Sequence, residues 1–310
     1  MRVLLIVNAT ASTVTVRKRV VIQKALRADH DLEIAATSER GHAAELAREA
    51  AADGVDVVAV LAGDGTLNEA ANGLAGSHTA LAPLPGGSTN VYARTIGVSR
   101  DVVEATGQLL DSLERRSFER IGLGLADDRY FLFHMGAGFD AAVVREVEQR
   151  APWKRYAAHP LFFLSALGTW LRYYDHSRPR FRIELPAGEV VEGCIFAIVS
   201  KTSPYSFLGS RPLVVSPDTG LHTELGLTAF RARHTPTFAA VSVSAMASGR
   251  MIRRHPSMVH RTNLRALTIV GDGRFPWQVD GEYLGEAERL SVRYEPDALT
   301  LVVPDVDPAP

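Results

Sequence analysis

The sequence predicts two domains: an N-terminal α/β domain built on a parallel sheet, and a C-terminal domain that is mainly an antiparallel β-sandwich. Up to Phe118, apolar strand-like runs alternate with helical segments, which is the pattern of a parallel sheet with right-handed crossovers. Beyond Phe118, short strand-like runs separated by turn residues dominate, which is the spacing of an antiparallel sandwich. We therefore expect domains over residues 1–118 and 119–289, with the segment 290–310 packing back on the first domain.

The composition limits the classes of function. With 310 residues, 46% of them hydrophobic and 22% charged, the chain has the length and balance of a two-domain globular protein. A net charge of −1 gives no electrostatic reason to expect a nucleic-acid partner. The single cysteine, Cys194, excludes an internal disulfide and a Cys-rich metal site, and its apolar neighbours indicate a buried side chain.

The apolar segments bear on where the protein acts. The start, MRVLLIVNA, is too short for a signal peptide, and the longest apolar stretch, Leu161 to Leu171, is too short to span a bilayer. We therefore expect a cytoplasmic protein. Cations and aromatic residues mix between Arg150 and Arg182, which suggests peripheral contact with the inner face of a membrane. The alternative is an amphipathic helix from Pro152 to about Asp175, packed on the sandwich.

The first domain is predicted element by element. We expect strands over Arg2–Val7, Leu32–Ala36, Val55–Ala62 and Thr79–Leu84, and helices over Val16–Ala28, His42–Ala52 and Asp101–Leu113. The run from Val55 to Ala62 is nearly all apolar and β-branched, which suits a strand that is covered on both faces.

The stretch GDGTLNEAANGL after that strand predicts a phosphate site. Gly63 and Gly65 would permit backbone angles closed to other residues and a close approach to a ligand. Thr66 is a good N-cap, and Glu69 three residues later would complete a capping box. The positive end of a helix dipole would then follow the glycines directly, and such a position attracts phosphate.

Two further loops strengthen this prediction. The stretch Pro85-Gly86-Gly87-Ser88-Thr89-Asn90 follows the next strand, and a small polar turn from Asn8 to Ser12 follows the first. Because the carboxyl ends of parallel strands meet at one edge of a sheet, these loops should lie side by side there.

The second domain is predicted from its turns. We expect strands over Tyr130–His134, Arg180–Leu185, Cys194–Ser200, Leu221–Phe230, Leu264–Val270, Trp277–Val279, Leu290–Tyr294 and Leu299–Val303. The stretch Gly271-Asp272-Gly273 is interpreted as a turn between two of them. A helix should follow the stretch from Gly136 to Asp140.

Five motifs in this order resemble the diacylglycerol kinase catalytic-domain family, in particular the bacterial lipid kinases related to sphingosine and ceramide kinases. They are GDGTLNEAANGL (63–74), PGGSTNVYAR (85–94), GAGFDA (136–141), SPDTGL (216–221) and QVDGE (278–282). The motif GDGTLNE alone would also admit NAD kinases, which share the N-terminal fold. The late DGE motif favours the lipid kinases.

The resemblance implies an enzyme that binds ATP between two domains and transfers its γ-phosphate, with Mg²⁺, to a hydroxyl of diacylglycerol or a similar lipid at a membrane surface. The residues that the resemblance assigns to ATP are Asn8, Ala9, Thr10, Ala11, Ser12, Thr37, Gly63, Asp64, Gly65, Thr66, Leu67, Asn68, Glu69, Gly87, Ser88 and Asn90. A homodimer is one assembly that we consider.

The acidic residues have implied roles. Asp280 would be the general base, with Glu282 as the alternative proton acceptor, and Asp64 would act on Mg²⁺ through its waters. The turn SPDTGL matches a structural metal site in some bacterial members, with ligands from Ser216, Thr219 and Leu221. Taken alone, Asp280-Gly281 is also a strong signal for a hairpin turn.

Three departures leave alternatives open. Family members usually carry Asp where this chain has Val91, Arg120 and Thr219, although Asp218 lies one place early. Arg120 could therefore replace metal charge. The alternatives to a diacylglycerol kinase are a kinase for another alcohol, such as a sphingoid base or NAD, and a non-catalytic nucleotide-binding or lipid-binding member.

Overall fold

The computed structural model describes residues 1–8, 14–149, 168, 170, 174, 178–231, 235–247 and 249–304. The chain forms two compact units: Met1–Leu123 with the C-terminal residues from Pro296, and Gly124–Glu295. The unit boundaries fall inside two strands, β5 (Phe118–Ala126) and β16 (Glu282–Val302). The predicted fold class, an α/β unit followed by a mainly antiparallel region, is confirmed.

The first unit is a parallel sheet flanked by helices. Its strands are β1 (Arg2–Asn8), β2 (Asp31–Thr37), β3 (Val57–Ala62) and β4 (Ala80–Pro85), and its helices are α1 (Val16–Asp29), α2 (His42–Ala52), α3 (Asp64–Leu74), α4 (Val91–Thr95) and α5 (Val102–Arg115). The strand order is β4-β3-β1-β2, and the end of β16 pairs in parallel with β4.

Burial explains why these segments form the sheet. All six residues of β3 and all six of β4 are buried, as expected of central strands whose two faces are covered. Each helix packs an apolar stripe on this sheet, and α5 begins at Asp101, whose carboxylate accepts hydrogen bonds from the N–H groups of Val103 and Glu104. The fixed sheet edge is what positions the loops described below.

The second unit is built on antiparallel strands. Its elements after β5 are β6 (Arg129–Phe131), β7 (His134–Gly138), α6 (Phe139–Gln149), β8 (Phe181–Glu184), β9 (Val190–Cys194), β10 (Phe196–Ser200), β11 (Ser206–Leu208), β12 (Arg211–Leu213), β13 (Leu225–Phe230), α7 (Thr235–Ala247), α8 (Arg250–Arg254), β14 (Met258–Leu264), β15 (Ala266–Val279) and β16. The main strand order is β14-β13-β10-β7-β15-β16, with β8 also paired to β15. One buried apolar cluster contains side chains from β7, β10, β13 and β14 and also from β8, β9, β15 and β16.

Two predicted features of this unit are wrong. The stretch Gly271-Asp272-Gly273 lies inside β15, where the pairing with β16 shifts register, because a long strand can absorb extra residues as a bulge instead of turning back. The predicted strand Tyr130–His134 is two strands, β6 and β7, separated by a bend at Leu132 and Phe133.

The predicted membrane-proximal helix lies mostly outside the described residues, as does the turn from Ala9 to Ser12. Within the described part, Trp170 and Tyr174 are buried against Phe139, and the Tyr174 hydroxyl donates to the Ile195 carbonyl at 2.7 Å. Cys194 is buried, as predicted. None of the helices in the described ranges is long and apolar enough to cross a bilayer.

Candidate active site

The glycines of the second loop, Gly86 and Gly87, are needed for its close packing on the first loop. A Cβ atom added to Gly87 would lie 2.7 Å from the Gly63 Cα atom, and one added to Gly86 would lie 2.8 Å from the Ala62 nitrogen. Gly63 itself has φ of −87°, which other residues adopt readily. The expectation of special backbone angles at Gly63 and Gly65 is therefore wrong. The two loops touch through their backbones, so a side chain at Gly87 would separate them.

The predicted capping box is also wrong. Helix α3 begins at Asp64 with Gly63 as its N-cap, two residues earlier than expected, and no side chain caps it. The Thr66 hydroxyl instead accepts a hydrogen bond from the Asn8 side-chain amide at 3.2 Å, and a Glu69 oxygen accepts from the Ala43 N–H at 3.3 Å. The side chains of Thr66 and Glu69 are therefore hydrogen-bonded to residues distant in the sequence. The positive end of the α3 dipole still lies directly after Gly63.

Asp64 ties the first loop to the second. Its two carboxylate oxygens accept hydrogen bonds from the N–H groups of Val91 at 2.9 Å and Tyr92 at 3.1 Å, at the start of α4. Burial raises the pKa of Asp64, and the bonds from these two N–H groups and the charge of Arg94 oppose that rise. Each oxygen retains a lone pair beyond these bonds, so the carboxylate fits a water-mediated contact with Mg²⁺.

The second loop is held by its own asparagine. The Asn90 side chain accepts from the Gly87 N–H and donates to the Gly87 carbonyl, both at 2.8 Å. Asn90 has φ of 49°, in the left-handed region that asparagine tolerates better than most residues. This pair of bonds fixes the turn that contains Ser88.

Several residues assigned to ATP meet at the carboxyl edge of the sheet. Asn8 ends β1 opposite Thr37, which ends β2, and the loops at Gly63 and Gly87 follow β3 and β4. Three assigned side chains have other surroundings: Leu67 and Asn68 are buried in the unit, and Glu69 binds the start of α2.

Arg120 lies at the opposite edge. Its guanidinium donates to the Ser77 carbonyl at 2.6 Å and to the Thr300 hydroxyl at 2.9 Å. Thr300 pairs with Ala80, the first residue of β4, whereas the phosphate loop follows Pro85, the last. Five residues of strand separate these positions by about 16 Å. Arg120 therefore does not supply the missing metal charge.

In the second unit, Asp280 is a buried acceptor for three backbone donors. Its oxygens accept from the N–H groups of Leu132 at 2.7 Å, Phe133 at 3.1 Å and His134 at 2.9 Å, across the bend between β6 and β7. Asp280 has φ of 48° and Gly281 has φ of 83°, which are the signs of a two-residue type I′ hairpin turn. The hairpin interpretation and the motif interpretation thus describe the same residues.

A buried hydrogen-bond chain supports this hairpin. The Tyr205 hydroxyl and the Gln278 amide each donate to Asp140 at 2.7 Å, and the Gln278 carbonyl oxygen accepts from the Gly281 N–H at 2.8 Å. Burial raises the pKa of Asp140 to about 6. The sequence analysis missed this chain, although Asp140 and Gln278 both belong to motifs that carried the resemblance.

Glu282 has a different partner from Asp280. One of its oxygens pairs with the Arg129 guanidinium at 2.9 Å, and both side chains are mostly buried. The two carboxylates of the DGE motif are therefore held by different means, one by backbone N–H groups and the other by a cation.

The residues of the SPDTGL turn do not fit a divalent metal. The Ser216 carbonyl accepts from the Thr219 hydroxyl at 2.9 Å, and the Leu221 carbonyl accepts from the Lys201 ammonium at 2.8 Å. The nearby carboxylate, Asp218, pairs with Arg253 and His260. Throughout the part of the chain that the structure describes, no three His, Cys, Asp or Glu side chains are grouped to hold a metal.

Comparison with known proteins finds a similarity that is concentrated in the first unit. Residues 2–118 match the model of the diacylglycerol kinase catalytic domain. The family resemblance is confirmed. A diacylglycerol kinase from Bacillus subtilis (strain 168) is 32% identical over 142 residues, which are 44% of this chain and 46% of that relative. A probable lipid kinase YegS-like from Chromohalobacter salexigens is 30% identical over 175 residues, 55% of this chain and 53% of that relative.

The similarity in sequence covers a smaller part of the chain than the similarity in fold. The chain spans about half the length of the curated relatives it matches. Two solved structures from Bacillus anthracis str. Sterne, the second of a diacylglycerol kinase, each cover 99% of this chain and are covered to 97% themselves, with TM-scores of 0.75 and 0.69. Their identities of 22% and 20% extend the likeness of fold, and of fold alone, to both units.

Proposed function

We propose that the protein is an ATP-dependent lipid kinase that transfers the γ-phosphate of ATP to a hydroxyl of diacylglycerol or a similar lipid. The observation that carries the proposal is the junction of the two glycine loops: Gly63 packs on Gly87, and Asp64 binds the start of α4, inside the region that matches the catalytic-domain family. Such a junction suits a triphosphate because backbone N–H groups and a helix start can face the phosphates.

The nucleotide would lie along the carboxyl edge of the first sheet. Asn8 and Thr37, at the ends of β1 and β2, would contact it together with the two loops, and the assignment of Ala9, Thr10, Ala11 and Ser12 belongs to the same proposal. Asp64 would hold Mg²⁺ through water. The metal ion, when bound, would neutralise part of the triphosphate charge.

Asp280 is the proposed base. As the lipid oxygen forms its bond to the γ-phosphorus, the bond from the γ-phosphorus to the bridging oxygen of ADP breaks, and the hydroxyl proton passes to the Asp280 carboxylate. Three backbone N–H groups fix the orientation of this carboxylate, and an oriented carboxylate within hydrogen-bond reach of a hydroxyl can accept its proton. Glu282, paired with Arg129, is the alternative base.

The lipid substrate implies a membrane surface as partner and a cytoplasmic protein that attaches peripherally to the inner face. A homodimer is one possible assembly, and nucleic acid is not a proposed partner. A sphingoid base or NAD is the competing acceptor. The competing class is a non-catalytic nucleotide-binding or lipid-binding member, which the bonds from backbone N–H groups to Asp64 and Asp280 favour, because they give both carboxylates a structural role.

The test is phosphate transfer by the purified chain. The protein is incubated with γ-labelled ATP, Mg²⁺ and, separately, diacylglycerol, a sphingoid base, ceramide and NAD, and calorimetry measures ATP binding on the same preparation. Label in a lipid product supports the kinase, and the acceptor that is labelled identifies the substrate class. ATP binding without any labelled acceptor would instead establish the non-catalytic alternative.

A further inference from the structure

The turn from Ser216 to Leu221 binds a buried cation, which is a lysine side chain from another part of the same chain. Lys201, directly after β10, is only 1% exposed, which is unusual for a lysine. Its ammonium group donates to the Leu221 carbonyl at 2.8 Å and to the Gly220 carbonyl at 3.3 Å, and it lies 5.7 Å from the centre of the Tyr294 ring. Carbonyl oxygens and an aromatic face are the surroundings that a desolvated cation requires.

The other groups of the turn leave no place for a second cation. The Ser216 carbonyl accepts both the hydroxyl and the N–H of Thr219, and the Ser216 hydroxyl contacts Thr228 at 3.2 Å. Asp218, one place before Thr219, forms an ion pair with Arg253 and contacts the His260 Nε2 atom at 3.1 Å. A divalent ion that bound the Leu221 carbonyl would meet the Lys201 ammonium at once, and like charges in a buried site repel strongly.

We propose that the Lys201 ammonium takes the place of a structural divalent metal in this turn, so that the second unit is held together by an internal cation and does not depend on metal for its stability. The substitution is chemically consistent, because Thr219 removes the carboxylate that a divalent ion needs and Lys201 adds a charge that needs only carbonyls. This inference is independent of the proposed kinase function.

Thermal unfolding without nucleotide tests the proposal. The wild-type melting temperature should be the same in 10 mM EDTA, 10 mM MgCl₂ and 10 mM CaCl₂. Lys201→Met keeps the length of the side chain but removes the donor to the Leu221 carbonyl, whereas the Gly220 carbonyl keeps its bonds from Thr223, so the melting temperature should fall by about 5 °C. Lys24→Met is the matched control, because Lys24 is exposed on α1 and the same substitution there should change little.

A gain of metal dependence gives the sharper result. Lys201→Met combined with Thr219→Asp replaces the ammonium by a carboxylate in the turn that contains the freed Leu221 carbonyl, so calcium should raise its melting temperature by about 5–10 °C at 100 times the dissociation constant. Thr219→Asp alone should show no calcium response, since the ammonium remains.

Three outcomes would overturn the proposal. The first is a chelator-reversible stabilisation of the wild type by calcium or magnesium. The second is a folded double variant that does not respond to either ion. If the double variant does not fold with or without calcium, Lys201→Arg decides: its melting temperature must lie closer to the wild-type value than that of Lys201→Met, and an equal loss in both contradicts a role for the charge.

Discussion

Replacing Asp280 by asparagine should destabilise the second unit, even though the substitution is nearly isosteric. The Asp280 carboxylate accepts N–H groups from Leu132, Phe133 and His134, all within the buried bend between β6 and β7. An asparagine can keep its oxygen toward Phe133 and His134, but its NH₂ group then faces the Leu132 N–H. The Leu132 N–H then loses its bond to the carboxylate, and the other two bonds lose the assistance of a charge.

The magnitude follows from these three bonds. A buried donor left without an acceptor costs about 2 kcal/mol, and a hydrogen bond that loses its charged acceptor weakens by about 1 kcal/mol. The variant should therefore lose about 4 kcal/mol of unfolding free energy, which moves a urea midpoint down by about 1–2 M. Trp170 and Trp277 belong to the second unit, so their fluorescence reports its unfolding.

A matched control lies two residues further along the chain. Glu282→Gln removes the charge from a partly buried ion pair with Arg129, but the glutamine oxygen can still accept from the guanidinium, so the loss should be about 1–2 kcal/mol. The midpoints of the two variants should therefore differ clearly. An Asp280→Asn midpoint within about 0.3 M of the wild-type value, a difference comparable to the precision of such titrations, would refute the reasoning that Asp280 holds the bend.

Three further predictions concern other parts of the molecule. Gly87→Ala should weaken ATP binding by at least about tenfold, because its methyl group would lie 2.7 Å from the Gly63 Cα atom. Gly65→Ala is the control: an added Cβ atom there meets nothing within 4 Å, so this variant should bind ATP with near wild-type affinity. Equal calorimetric affinities of the two variants would contradict this prediction. Burial raises the pKa of Asp140 to about 6, so between about pH 4 and pH 6 the folded protein holds a proton that the unfolded chain does not. The unfolding free energy of the wild type relative to Asp140→Asn should therefore fall by about 2–3 kcal/mol as the pH rises through that range. A difference between the two proteins that stays constant in urea titrations from about pH 4 to pH 7 would contradict this prediction. Arg120→Ala should leave the magnesium dependence of phosphate transfer unchanged, since Arg120 binds Ser77 and Thr300 at the far edge of the sheet, and a shifted magnesium titration would place it near the metal after all.

The sequence predicted those features that depend on local patterns. Helix α2 has the predicted bounds, His42–Ala52, because its alanine and glutamate run is helical over its whole length. The positions of β3 and β4 also agree to within two residues, since continuous apolar runs between glycine turns leave few alternatives. The predicted position of the two glycine loops, at the carboxyl edge of the sheet, follows from the parallel topology.

The errors arise where a distant residue competes for a side chain. Thr66 and Glu69 fit a capping box locally, yet Asn8 and Ala43 bind them in the folded unit. The resemblance aligns Arg120 with an acid that other members carry and suggests that it could replace metal charge, but Ser77 and Thr300 bind it elsewhere. The three N–H donors to Asp280 lie about 150 residues before it in the sequence. Lys201, which donates to the SPDTGL turn, lies at the end of a separate strand, β10. Hydropathy patterns carry no information on such pairings.

The central claim is that this chain transfers phosphate from ATP to a lipid hydroxyl with Asp280 as the base. The most direct measurement quantifies labelled phosphatidate formed from a short-chain diacylglycerol and γ-labelled ATP, for wild type, Asp280→Asn and Glu282→Gln, at a temperature where fluorescence shows all three folded. We predict transfer by the wild type and a loss of about 10²–10⁴-fold in Asp280→Asn, with a smaller loss in Glu282→Gln. Undiminished transfer by folded Asp280→Asn, or its absence in wild type that binds ATP, would contradict the account.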